Sequence, residues 1–114
     1  MVTLFLSAYA DGQVPPSQRL AYQRAAAEWL ACVDKRVPLV ADKPYPDKVA
    51  AADAVIGCTS ERRKVIRELI KERSKVEKRS VSEDETRGVM DLLDRAAIEK
   101  ATADVAEARS RLER

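Results

Sequence analysis

Histidine is absent from this chain, and its absence removes a good deal of chemistry. The commonest general base, the commonest neutral metal ligand and the side chain that switches charge near neutral pH all go with it. Aromatic residues are scarce, with only Phe5, Tyr9, Tyr22, Trp29 and Tyr45 among 114 residues. The three glycines, Gly12, Gly57 and Gly88, stand apart and form no phosphate-cradling loop. No run approaches the roughly 18 apolar residues that a membrane-spanning helix requires. Carboxylates are plentiful but spread at surface spacing. Asp91 and Asp94 share a helix face, yet Arg87 and Arg95 flank them as surface charges would. No nucleophile stands in a pattern with a base, so no catalytic activity and no cofactor are expected.

Cysteine is also sparse, and here the scarcity informs. Cys32 and Cys58 flank a proline-rich stretch, 26 residues apart. Two thiolates alone do not make a four-ligand zinc site; carboxylates would have to complete it, which is uncommon for structural zinc, and no metal is expected. Neither cysteine belongs to a C-x-x-C motif, which argues against a redox enzyme. The pair leaves two readings open. As a disulfide it would staple two helices and place the protein outside the reducing cytosol. As free thiols the two would be small buried hydrophobes.

Residues 1–10 are uncharged and end in Ala8-Tyr9-Ala10, the small-x-small pattern of a signal-peptide cleavage site, but no positive region precedes them. They read either as the tail of a secretory signal that starts upstream or as an apolar N-terminal tail. Residues 11–16, with Gly12 and Pro15-Pro16, read as a linker. Residues 17–114 then form one helical domain, the size range of a single core.

What the chain has in quantity is alanine, leucine and charge, a composition of long helices. Ser17 can cap a helix A over about Gln18–Lys35, with Leu20, Ala21, Ala25, Trp29, Cys32 and Val33 on one face and Trp29 as its anchor. Residues 36–46, with Pro38, Pro44 and Pro46, read as a loop. Helix B is expected from about Asp47 to Arg79, one rod of about 50 Å. Its stripe would be Val49, Ala52, Val55, Ile56 and Thr59, then Ile66, Leu69, Ile70 and Val76 with Val65 beside them. Ser82 followed by Glu85 is a capping box that starts helix C, whose stripe includes Met90, Ala97, Ala101 and Val105. The expected fold is all-α: three helices, with a short helix A stapled to a long antiparallel B–C hairpin.

Charge is distributed unevenly. Residues 1–60 are balanced, residues 61–79 carry nine basic and four acidic groups, and residues 80–114 carry six basic and nine acidic groups. Helices B and C are therefore complementary in sign where they would meet. The basic run, centred on Arg62, Arg63, Lys64, Arg67 and Lys71, reads as a nucleic-acid surface, an anionic-membrane surface, or a solvated face paired internally. No aromatic residue interleaves it to stack on bases, and no DNA-binding motif surrounds it, which favours the internal pairing. The expected role is that of an exported, periplasmic or secreted, helical protein working through a protein partner or self-association. The alternative is a cytoplasmic nucleic-acid-associated or regulatory protein using residues 62–79.

Overall fold

A computed structural model of the chain describes residues 20–113. The signal-like segment, the linker and the Ser17 cap lie outside the described residues. Four helices follow one another: α1 (Ala21–Ala41), α2 (Asp47–Ile56), α3 (Thr59–Glu77) and α4 (Glu83–Leu112). No strand occurs among the described residues. The all-α expectation holds, but the helix count is four rather than three.

The first correction lies in the stretch read as a loop. Helix α1 runs through Pro38 to Ala41. A proline inside a helix forfeits one hydrogen bond and costs about 3 kcal/mol. The offset is on the same turn: Val37, Val40 and Ala41 are buried and extend the face begun by Ala26, Trp29, Leu30 and Val33. Two buried valines recover about 3 kcal/mol. Pro38 itself lies on the exposed side.

The second correction concerns helix B, which is not one rod. It breaks at Gly57 and Cys58 into α2 and α3. The two pieces still act together as one member of a three-membered bundle, in which α1 and α4 also touch directly. Glu28 on α1 pairs with Lys64 on α3, Arg36 on α1 pairs with Asp53 on α2, and Asp34 on α1 pairs with Lys100 on α4. The first two pairs make α1 antiparallel to the broken helix, and the third, with Arg109 on the Ala41 carbonyl, makes α1 parallel to α4. Arg62 with Asp94, and Arg79 with Glu85, set α3 antiparallel to α4.

Alanine decides how α2 packs. Its buried face is Ala50, Ala51, Ala54 and Val55, while Val49 and Ile56 point to solvent. The expected stripe placed those two inside. Small side chains let α2 lie close to both α1 and α4, and bulkier ones at the same contact would hold the helices apart. The core continues through Val65, Ile66 and Leu69 of α3 and Met90, Leu93, Ala97, Ala101 and Val105 of α4, around a fully buried Trp29. Val76, also expected inside, is 69% exposed.

Local chemistry fixes the ends. Ser82 Oγ accepts from the Glu85 N–H, and the Glu85 carboxylate accepts from the Ser82 N–H at 2.8 Å, the expected capping box. Lys78 closes α3 in the left-handed region at φ 54°, with its N–H on the Ser74 carbonyl. Between α1 and α2, Arg109 reaches across from α4. Its guanidinium donates to the carbonyls of Ala41 (3.1 Å) and Lys43 (2.8 Å) and to the Asp47 carboxylate (2.6 Å). One side chain thus satisfies carbonyls at the end of α1 and meets the acidic start of α2.

Two expectations follow. Arg109→Ala should lower unfolding free energy by about 1–2 kcal/mol, because charge-assisted bonds are lost at a partly solvated site. Arg109→Lys should recover less than half of that in urea denaturation, since lysine lacks the planar fork. The second concerns acid. The Ser82 N–H, then Arg79, hold the Glu85 carboxyl below its ordinary pKa. A lowered folded-state pKa gives stability that is complete above the unfolded value and lost as pH falls through the folded one. Wild type should therefore exceed Glu85→Gln in stability at neutral pH, and the gap should close below the usual carboxylate range in a pH series of thermal melts.

Candidate functional site

Cys32 and Cys58 are bonded, with Cα atoms 6.1 Å apart, and no other cysteine exists to compete. Cys32 lies mid-way along α1 and is half-buried; Cys58 is fully buried. The bond therefore sits where α2 breaks off and α3 begins, with Cys58 as the N-cap residue of α3. Cys58 receives no cap from its own side chain, because its sulfur is committed across to α1. Thr59 hydroxyl donates back to the Ile56 carbonyl at 2.7 Å, taking up one group that the break leaves open.

What the missing side chain of Gly57 admits is Arg36. A Cβ at Gly57 would collide with the Arg36 guanidinium, which donates from Nε to the Ala54 carbonyl at 3.2 Å and faces Asp53. The broken end of α2 is thus finished by an arginine from α1, which fits the negative end of a helix dipole.

One residue at this corner escaped the sequence reading. Glu61, in the first turn of α3, has a buried carboxylate oxygen with no hydrogen-bond partner among the described residues. One of its oxygens and both cysteine sulfurs lie within 4.8 Å of one another. The available signal was the spacing: Cys58 and Glu61 are three apart, hence on one face of a helix that starts there. Trp29 Nε1, one turn before Cys32, is likewise buried without a partner.

The second candidate is the basic face. The five residues singled out do not act together. Arg62 is held by Asp94 through two bonds of 2.8 and 2.7 Å across to α4. Hydrogen bonding to Asp94 keeps the Arg62 pKa above its ordinary value, against the partial burial that would lower it. Lys64 pairs with Glu28, and Lys71 with Glu68. Arg63 and Arg67 are exposed and have no ion pair among the described residues. Lys75 and Lys78 share that condition. Arg63, Arg67, Lys71 and Lys75 recur every four residues, with Lys78 three further on, in a row about 22 Å long. This row, rather than the run as a whole, is what α3 presents to solvent.

Elsewhere, Lys100 bridges Asp34 and Asp104 at 3.0 and 2.8 Å, beside a groove between α1 and α4 that is open to solvent. Burial disfavours its charge, but the two carboxylates outweigh that and raise its pKa. A second open groove near Arg62, Glu83 and Asp91 joins α3 to α4. Neither holds a nucleophile poised beside a base. No described helix is long and apolar enough to cross a membrane.

These features define a small all-α bundle, stapled where its middle helix breaks. No protein-family model, curated protein or solved structure matches the chain.

The staple closes 26 residues, for which chain entropy gives about 3–4 kcal/mol. Replacing both cysteines with serine should lower unfolding free energy by about that amount, read in urea through the fluorescence of the single Trp29. An unchanged midpoint would show that the bond contributes nothing to the fold.

Proposed function

We propose that this is an exported helical protein, periplasmic or secreted, that works through contact with a protein partner or with a second copy of itself. The observation that carries the reading is the Cys32–Cys58 bond inside an alanine-rich core. Structural disulfides persist in oxidising compartments, and a core of many alanines and few aromatics gains a large share of its stability from one. The interaction half rests on apolar rows left in water. Val49 and Ile56 lie two turns apart on α2, with Ile56 71% exposed, and Val89 and Leu92 lie one turn apart on α4. Single exposed apolar residues are ordinary, but pairs on one helix face suit helix–helix association.

A second reading has its own observation. The exposed row Arg63, Arg67, Lys71, Lys75 and Lys78 suits the phosphate backbone of a nucleic acid in a cytoplasmic regulatory protein. The internal pairs of Arg62 and Lys64 leave it fewer charges than the sequence promised.

Light scattering after size exclusion, together with salt-dependent retention on a DNA or RNA column, separates the two. The first reading predicts an oligomer at micromolar concentration that Val49→Asp with Ile56→Asp converts to a folded monomer. It also predicts no retention at physiological salt. A monomer at every concentration, retained on nucleic acid until Arg63 and Arg67 become Gln, would replace it with the second reading.

A further inference from the structure

We infer that the corner formed by Cys32, Cys58 and Glu61 is a site for a thiophilic divalent cation, zinc in kind, once the disulfide is reduced. This goes beyond the interaction reading and does not depend on it. Three donor atoms of types that zinc accepts, two sulfurs and a carboxylate oxygen, already lie within 4.8 Å of one another. A tetrahedral zinc, with bonds of about 2.3 Å to sulfur and about 2.0 Å to oxygen, sets donor–donor edges of about 3.5–3.8 Å. The sulfurs, bonded to each other in this structure, must part to reach that spacing, while the carboxylate oxygen already lies within 4.8 Å of both.

Three features support the site. Oε2 of Glu61 is buried with no partner among the described residues, and a buried unsatisfied carboxylate oxygen is a cost that a cation held by that carboxylate removes. Cys58 and Glu61 come from one helical turn while Cys32 comes from the facing helix, so the ion would tie α1 to α3 as the disulfide does. Cys58 stands at the N-terminus of α3, whose dipole favours a thiolate there. With no histidine in the chain, the donor set is two thiolates and one carboxylate, and water would take the fourth position.

The conversion balances with a dithiol reductant. The reductant gives two electrons and two protons to the Cys32–Cys58 bond and closes to its own disulfide. Binding of M²⁺ then releases the two thiol protons to solvent, while the Glu61 carboxylate adds without proton exchange. The corner therefore has two closed forms, a covalent bond when oxidised and a metal clip when reduced.

The test titrates Co²⁺ and Zn²⁺ into the protein after reduction by a dithiol and removal of the excess, and into the oxidised protein in parallel. The reduced protein should bind one Co²⁺ with intense near-ultraviolet thiolate-to-cobalt absorption and a tetrahedral visible band, both bleached by Zn²⁺. The oxidised protein should show neither. Glu61→Gln, confirmed helical by circular dichroism, should retain the sulfur band but weaken Zn²⁺ binding by at least the 10- to 100-fold that losing even an outer-sphere partner costs, as an order of magnitude. Reduced wild type that binds Zn²⁺ no better than the oxidised form would overturn the proposal. So would a helical Glu61→Gln with undiminished affinity, because the site would then lack its third ligand.

Discussion

The bond between Cys32 and Cys58 closes the corner where α2 gives way to α3. A straight helix from Asp47 to Arg79 would pass α1 with one continuous face. The break lets α2 press its alanine face between α1 and α4, while α3 turns Val65, Ile66 and Leu69 inward from a different line. Each arrangement alone is weakly held. Ten residues of α2 form no stable helix by themselves, and their buried face is mostly methyl groups. The disulfide, Arg36 over Gly57 and Arg109 over the α1–α2 turn give that short helix two fixed ends.

Charge does a related task along the α3–α4 seam. The sign contrast between residues 61–79 and 80–114 becomes Arg62 on Asp94 and Arg79 on Glu85. Such pairs at partly solvated positions add little raw stability, but like charges in the wrong register would repel, so they help set which way the two helices run. The exposed cations of α3, Lys71 with its Glu68 partner among them, face water as a row, and the row is where the two functional readings diverge.

The fold was legible in the sequence wherever one segment carried its own instructions. The Ser82–Glu85 capping box fixed the start of α4 because all its partners are within three residues. Trp29 was readable as an anchor because nothing else in the chain is as large. The failures share one cause, tertiary contact overruling local preference. Pro38 argued for a loop, and burial of Val37 and Val40 carried the helix through it. Gly57 lay inside a segment that reads as one continuous helix, and the break there is completed by Arg36 of α1, which donates to the Ala54 carbonyl. Val49 and Ile56 outranked their alanine neighbours in hydrophobicity, yet the room between α1 and α4 suits alanine. Of the candidate site, the cysteine pairing was legible as an alternative, and the closeness of Glu61 to it was hidden in a three-residue spacing that mattered only once the helix was known to begin at Thr59.

The account stands on the staple, and the most direct measurement is the redox state of the two cysteines in protein taken from its native cell. Thiols trapped with an alkylating agent at lysis, followed by mass spectrometry with and without reduction, read it in one experiment. The account predicts no adduct before reduction and two after it, with Cys32 and Cys58 recovered as one linked peptide pair. Two adducts without reduction would contradict it: the corner would then be held in the cell by packing or by a bound cation, and export would lose the observation that carries it.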